Sequence, residues 1–154
     1  MKTISQLLKE KGQEAWWIRP DSKVYDVLKV MADKDVGALL VMDGARLVGM
    51  FSERDYARKV ILKNKSSKNT TVGEIMSSEV IYIPSTIDCK QALAVMTAKH
   101  VRHLPVLDNY LLVGIVSIGD LVKAVIDNEK QVNKALSQYI LEYKVAVNPI
   151  TTAH

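Results

Sequence analysis

Two Ser-x-x-Asp tetrads stand where an apolar stretch gives way to a helical pattern. The first holds Ser52 and Asp55 in FSERDYARKV, and the second holds Ser117 and Asp120 in VSIGDLVKAV. A hydroxyl and a carboxylate at this spacing can cap a helix, because they accept hydrogen bonds from its free N–H groups. The same pair could bind a ligand, since one carboxylate accepts hydrogen bonds from two neighbouring hydroxyl groups and a helix N-terminus favours phosphate.

Both tetrads belong to a duplicated segment. Residues 36–60 align with residues 101–125 at a constant shift of 65 positions without a gap, and ten of the 25 positions are identical. The identities include the serine and the aspartate of each tetrad and the glycine three positions before each serine, Gly49 or Gly114. This level of recurrence indicates an internal duplication.

Each copy predicts the order strand, helix, strand, strand, helix. Apolar residues recur at helical spacing in VYDVLKVMADKD and CKQALAVMTAKH, and two apolar strands follow each helix. Gly44 and Asn109 suit the positive φ of a hairpin turn between those strands. Two shorter lead-in strands are predicted in AWWIR (15–19) and EVIYI (79–83).

The sequence predicts five segments. They are a short N-terminal helix in 1–14, the first repeat in 15–61, a polar linker in 62–71, the second repeat in 72–127, and a helix and tail in 128–154. Thr71 and Glu74 form a capping pattern. A narrow apolar stripe predicts that the last helix continues to about Tyr143 and packs against a partner subunit. Its members are Val122, Val125, Val132, Leu136, Tyr139 and Tyr143.

Composition narrows the class of protein. The chain has 154 residues, a formal net charge of +4 and a single cysteine, Cys89, so it has neither an internal disulfide nor a multi-cysteine metal site. The first residues lack the apolar stretch of a signal peptide, and no apolar run reaches the length of a membrane span. We therefore expect a soluble cytoplasmic protein without a membrane partner, whose mild basicity suits an anionic ligand.

The duplicated pattern resembles a known family. LLVMDGARLVGMFSERDYA and LPVLDNYLLVGIVSIGDLV are similar to the hairpin and following helix of cystathionine β-synthase (CBS) domains. The resemblance to a stand-alone tandem CBS pair, or Bateman module, covers about residues 15–127. It implies an α/β (α+β) fold of two pseudo-twofold-related repeats packed through their sheets, with two clefts between them and a C-terminal helix added.

The resemblance also implies a function. CBS pairs bind adenosine-containing ligands such as AMP, ADP, ATP, NAD(H) or S-adenosylmethionine, commonly form homodimers, and usually regulate another protein. Carried over to this chain, the cleft of Asp55 would be completed by Val80, Ile81, Val101, Arg102 and His103. The cleft of Asp120 would be completed by Trp17, Ile18, Val36, Gly37 and Ala38.

The two expected clefts differ in charge. Arg54 stands beside Asp55 and faces Arg102 and His103, which would supply fixed positive charge for a polyphosphate. Gly119 takes the place of Arg54 in the second tetrad. The Asp55 cleft is therefore expected to prefer the more highly charged ligand, and the Asp120 cleft a nucleoside or weakly charged ligand.

Simpler interpretations exist for several residues. Trp17 could serve in ordinary packing rather than as a ligand wall. His100 and His103 would point to opposite faces of a strand, which argues against a shared metal, and Cys89 falls on the apolar stripe of a helix. No motif of an enzyme is present, and two repeats leave no length for a catalytic domain.

We expect a nucleotide sensor that is not an enzyme, and two rival functions remain open. A nucleic-acid-associated regulator could use the basic residues of segment 54–68, although nucleic acid is the less expected partner. A weak nucleotide hydrolase is the other rival. The regulated protein target is not identified by the sequence.

Overall fold

The computed structural model describes residues 1–12 and 15–147, with side chains described as far as Glu142 in the last helix. In chain order its elements are α1 (Ile4–Lys11), β1 (Trp17–Ile18), α2 (Val24–Lys34), β2 (Ala38–Asp43), β3 (Arg46–Ser52), α3 (Glu53–Tyr56), a π-helix (Ala57–Ile61), α4 (Val72–Ile75), α5 (Cys89–Lys99), β4 (His103–Asp108), β5 (Leu111–Ser117) and α6 (Ile118–Val147). The mixed α+β class and the C-terminal helix predicted from the sequence are confirmed.

Each repeat is built on an antiparallel hairpin with the same irregularity. Strands β2 and β3 pair with a register shift after Val41, and β4 and β5 pair with a register shift after Val106. Gly44 and Asn109 adopt positive φ angles in the hairpin turns, as predicted. The duplication in sequence is therefore a duplication in backbone geometry.

The predicted lead-in strands are only partly formed. In the first repeat β1 pairs in parallel with β2, and the N–H of Leu40 donates to the carbonyl oxygen of Trp16. In the second repeat the strand predicted at 79–83 is reduced to one parallel bridge between Ile83 and Val106. The prediction of a full strand there was wrong.

Pro105 explains the shortened ladder. It occupies the position equivalent to Leu40, and proline has no N–H to donate to the residue equivalent to Trp16, which is Ile81. The carbonyl oxygen of Pro105 still accepts a hydrogen bond from the N–H of Ile83. One bridge therefore forms where the first repeat has a short strand.

Each repeat takes its first helix from the other half of the chain. Ile4 and Leu8 of α1 are buried in the core of the second repeat, whereas Val72 and Ile75 of α4 are buried in the core of the first. Backbone bridges join Thr3 to Asp88 and Lys23 to Thr71 at the two equivalent junctions. These exchanged helices tie the repeats together.

Strand glycines allow the exchanged helices to approach closely. A Cβ atom on Gly114 would lie 2.8 Å from a methyl group of Leu8, and one on Gly49 would lie 2.5 Å from the sulfur of Met76. Both glycines stand at the same position of the repeat. The duplicated glycine is thus explained by packing between the repeat and the exchanged segment.

The helices that follow the two tetrads differ in length. Helix α3 has four residues and passes into a five-residue π-helix, whereas α6 has 30 residues. Each residue of α6 from Glu129 to Glu142 is exposed. The predicted C-terminal helix is confirmed and extends to Val147.

Candidate functional site

Both Ser-x-x-Asp tetrads cap a helix. The backbone N–H of Asp55 donates to Ser52 Oγ at 3.2 Å, and the N–H of Ser52 donates to Asp55 Oδ2 at 3.0 Å. In the second repeat the corresponding distances for Asp120 and Ser117 are 3.1 and 2.9 Å. The capping interpretation is correct, and it leaves other lone pairs of each carboxylate open to further partners.

A cavity of about 740 Å³ opens beside Asp55. Its walls come from both repeats and from the segment after α4. Lining residues are Gly37, Met50, Ser52, Glu53, Arg54, Asp55, Arg58, Lys59, Ser77, Glu79, Val80, Ile81, His100, Val101, Arg102 and His103. The eight residues that the sequence assigned to the Asp55 cleft are all among them.

The second oxygen of the Asp55 carboxylate meets two groups that the sequence did not predict. Ser77 Oγ donates to Asp55 Oδ1 at 3.3 Å, and Lys59 Nζ lies 3.0 Å from the same oxygen. Lys59 also donates to the carbonyl oxygen of Ile75. The side chain of Asp55 is only 13 % exposed, so these contacts fix the carboxylate at the cavity wall.

The cavity carries an excess of positive charge. Four basic side chains line it, namely Arg54, Arg58, Lys59 and Arg102, against three acidic ones, namely Glu53, Asp55 and Glu79. Because Lys59 pairs with Asp55, the arginines are the cations left to meet an anion, with Glu53 and Glu79 in the same wall. Arginine is suited to phosphate because its planar group offers paired donors.

His103 lines the cavity, as the sequence predicted, but it is partly removed from solvent. Its burial lowers the pKa of the imidazole below the ordinary 6.5, and the nearby cations Lys11 and Arg102 lower it further, while Asp120 opposes the shift. Burial therefore works against a positive charge on the ring. Arg54, Arg58 and Arg102 carry fixed positive charge in the same cavity, and the role of His103 at a phosphate stays a prediction.

Asp120 is paired with a residue from the opposite end of the chain. Lys11 Nζ donates to Asp120 Oδ2 at 2.8 Å and to the carbonyl oxygen of Ile115 at 2.8 Å. Partial burial opposes ionisation of Asp120, but hydrogen bonds from Lys11 and Ser117 and the charge of Lys11 outweigh it. The pKa of Asp120 is therefore lower than its usual value.

The structure places the five residues predicted to complete the Asp120 cleft in different surroundings: some are buried, one is exposed and one lines the Asp55 cavity. Ile18 is buried in the core of the first repeat, and Val36 packs against that core. Ala38 is buried at the start of β2, Trp17 is 57 % exposed, and Gly37 lines the Asp55 cavity. Their role at Asp120 stays a prediction.

Several residues of the cavity were missed for an understandable reason. Arg58 and Lys59 follow Arg54 and Asp55 by four positions, which places them on the same helical face, so spacing alone could have found them. Ser77 and Glu79 follow α4 and reach the site only because that helix packs on the first repeat. Lys11, the partner of Asp120, was missed because α1 reaches that aspartate only by packing on the second repeat.

The described residues contain neither a group of three or more potential metal-ligating side chains nor a helix long and apolar enough to cross a membrane. Cys89 is buried in the core of the second repeat, as its position on the helix predicted. The ring of Trp16 lies under Lys34 Nζ at 4.2 Å, in a cation–π contact.

Comparison with known proteins places this geometry in a family. The CBS-domain family profile matches residues 13–62 and 72–127. The mitochondrial CBS domain-containing protein CBSX3 of Arabidopsis thaliana is 41 % identical over 147 residues, which cover 90 % of this chain and 71 % of that protein. YhcV of Bacillus subtilis, another CBS domain-containing protein, is 30 % identical over 112 residues, covering 73 % of this chain and 79 % of YhcV.

A solved structure agrees with these relatives. A protein with CBS domains from Burkholderia ambifaria superposes with a TM-score of 0.79 at 46 % identity, covering 82 % of this chain and 95 % of that one. CBS-domain proteins are typically regulatory rather than catalytic. The chain belongs to the CBS-domain family and carries the domain as a pair, a type of regulatory module that is known for binding nucleotides or S-adenosylmethionine.

Proposed function

We propose that this protein is a regulatory module that binds an adenosine nucleotide in the Asp55 cavity and acts on a separate protein. One observation carries the proposal. A single cavity gathers a carboxylate, several arginines and an apolar wall from two different repeats. Its volume of about 740 Å³ falls in the range of about 300–1,000 Å³ that is common for small-molecule sites.

The parts of a nucleotide match the parts of the cavity. The carboxylate of Asp55 can accept hydrogen bonds from both hydroxyls of a ribose, and Ser52 lies beside it. Val80, Ile81 and Val101 offer apolar surface to an adenine ring. The phosphates would lie toward the arginines.

Lys59 gives this site a mechanism of exchange. Its ammonium group now pairs with the Asp55 oxygen that a ribose would use. When a ribose takes that oxygen, Lys59 becomes free to pair with a phosphate. Before a ligand binds, the ion pair thus fixes the position of the Asp55 carboxylate. When the ligand binds, the ribose hydroxyls take the place of Lys59 at the carboxylate, and a phosphate takes the place of the carboxylate at Lys59.

The charge difference between the two sites remains part of the proposal. The Asp55 cavity has Arg54 and Arg58 where the second repeat has Gly119 and Lys123, and Asp120 is already paired with Lys11. We propose that the Asp55 cavity takes the more highly charged ligand and that the Asp120 site takes a nucleoside or weakly charged ligand.

Regulation requires that the ligand bind two conformations with different affinity. Because the cavity joins both repeats, a bound ligand would favour one arrangement of the repeats over another. The proposed unit is a cytoplasmic homodimer that acts on a target in trans; the Arabidopsis relative, by contrast, is named as mitochondrial.

The proposal is tested by thermal-shift screening against AMP, ADP, ATP, NAD, NADH and S-adenosylmethionine. A ligand that binds only the folded state must raise the melting temperature. No shift with any of the six compounds at millimolar concentration would reject the nucleotide-sensor proposal.

Calorimetry on variants then locates the site. Asp55→Asn keeps a capping oxygen but removes the charge, and we expect it to weaken nucleotide binding by about tenfold or more. Arg102→Gln should weaken ATP binding more than AMP binding. Arg19→Gln is the matched control, because Arg19 pairs with Asp21 on the surface outside the cavity. Equal phosphate dependence in Asp55→Asn and Asp120→Asn would contradict the proposed charge difference.

The two rival functions predict different outcomes when the same protein and its variants are tested. Nucleic-acid binding would fall steeply with salt and survive Asp55→Asn. Arg54, Arg58 and Lys59 of the basic segment line the cavity, which favours a small anion as their partner. Product formed on long incubation with ATP or NAD would favour the hydrolase.

A further inference from the structure

Helix α6 leaves the body of the protein with an apolar stripe that the described residues do not cover. Within the body, Ile118, Val122 and Ile126 are each at least 39 % exposed. Beyond the body, Val132 and Leu136 are more than half exposed. Helices in proteins gain most of their stability from packing an apolar face against another element, so this helix needs a partner.

The stripe has the spacing of a coiled-coil seam. Its positions alternate between steps of four and three residues, which is the heptad pattern of knobs-into-holes packing. We define the seam as Ile118, Val122, Val125, Glu129, Val132, Leu136 and Tyr139. Glu129 is its one charged member, and the seam spans 22 residues or about 33 Å of helix.

The flanks of the seam suit a second identical helix. Positions next to a seam usually carry the charges that select a partner. Here they are Gly119, Leu121, Ile126, Asn128, Asn133, Ala135, Ile140 and Glu142, so Glu142 is the one charge among them. The lysines of α6 lie away from the seam, and two copies would meet with little repulsion between like charges.

We propose that α6 binds α6 of a second copy of this chain in antiparallel orientation. A parallel pair would place Glu129 beside Glu129 of the second copy, and two like charges in an apolar seam are unfavourable. An antiparallel pair can place Glu129 opposite Tyr139, whose hydroxyl is a donor for the carboxylate. The same register, symmetric about Lys134, packs Val132 on Leu136.

This inference deepens the homodimer of the proposed function, but it does not depend on nucleotide binding, because it concerns a different face of the molecule and needs no ligand. Cysteine cross-linking tests it directly. Full-length Val132→Cys and Leu136→Cys proteins carry tags of different size, and each is oxidised alone and mixed with the other. The native Cys89 is buried, so the wild-type protein serves as the background.

The antiparallel register predicts a mixed disulfide dimer at least tenfold more abundant than either single-variant dimer. Lys130→Cys mixed with Gln138→Cys is the matched control, because these positions are also symmetric about Lys134 but lie off the seam. Dimers within each single variant, without excess in the mixture, would overturn the antiparallel orientation. Absence of any cross-link would overturn the proposal that the seams of two copies pack together.

Light scattering on the full chain gives a second measurement. Leu136→Asp should raise the dimer dissociation constant at least tenfold. Leu141→Asp should leave it unchanged, because Leu141 is equally apolar and 57 % exposed but lies off the seam. An unchanged constant in Leu136→Asp would overturn the proposal.

Discussion

Lys11 Nζ donates to Asp120 Oδ2 at 2.8 Å across 109 positions of the chain. This pair joins the first helix of the protein to the cap of the last. Because the exchanged helix α1 packs in the second repeat, the contact adds a charged hydrogen bond to the apolar packing and the backbone hydrogen bonds at this junction.

Removal of the Lys11 charge should destabilise the protein in a pH-dependent way. Lys11→Met should lower the free energy of unfolding by about 1 kcal/mol at pH 7, which is the scale of a partly buried charged hydrogen bond. The folded pKa of Asp120 lies below 3.8, so this stabilisation is present above pH 3.8 and is lost as the pH falls through the folded pKa.

Urea unfolding at several pH values measures this effect. Lys9→Met is the control, because Lys9 is exposed on the same helix. A deficit that stays constant as the pH is lowered below 3.8 would show that the loss comes from packing of the lysine chain rather than from the ion pair.

His103 should make folding stability sensitive to mild acid. Its folded pKa lies below 6.5, so the unfolded chain binds the proton first and stability is lost as the pH falls from 7 to 5. His103→Gln should remove this part of the slope. His100→Asn is the control, since His100 has a positive φ of 55° that asparagine tolerates. Identical slopes for wild type and His103→Gln in urea unfolding would contradict the assignment.

Gly49 should be intolerant of a methyl group. A Cβ atom there would lie 2.5 Å from the sulfur of Met76 and 3.0 Å from the carbonyl oxygen of Ser77. That oxygen is held by the N–H of Met50, so it cannot move without loss of a hydrogen bond. Gly49→Ala should cost about 1–3 kcal/mol in the free energy of unfolding.

Gly37→Ala is the matched control for that substitution. A Cβ atom on Gly37 would meet nothing within 4 Å, so its free energy of unfolding should change by less than about 0.5 kcal/mol. Chemical denaturation of the two variants compares them. Equal stability of both would mean that the exchanged helix does not press on β3.

Replacement of Pro105 should lengthen the ladder of the second repeat. Pro105→Leu restores an N–H that can donate to the carbonyl oxygen of Ile81, as Leu40 donates to Trp16. The new amide should exchange slowly with deuterium, at a rate near that of Leu40. The gain in stability is expected to be small, because loss of proline also loosens the unfolded chain. Rapid exchange at position 105, measured by NMR, would contradict this explanation.

The local pattern of each repeat followed from the sequence alone. The constant shift of 65 positions predicted two equivalent hairpins, and the turn residues and tetrads behaved as their chemistry requires. Steric and capping preferences act between residues close in sequence, so they can be inferred without knowledge of the fold. The resemblance to CBS pairs then grouped Asp55 with Arg102 and His103.

Tertiary structure decided the contacts between distant segments. The exchange of α1 and α4 brought Lys11 to Asp120 and Ser77 to Asp55, and burial lowered the pKa of His103. Partners from distant segments depend on how the two repeats pack. The sequence determined the Ser-x-x-Asp caps and, through a spacing of four residues, could have indicated the pair of Lys59 with Asp55. Only the fold determined that Lys11 pairs with Asp120, because that contact depends on distance in space rather than in sequence.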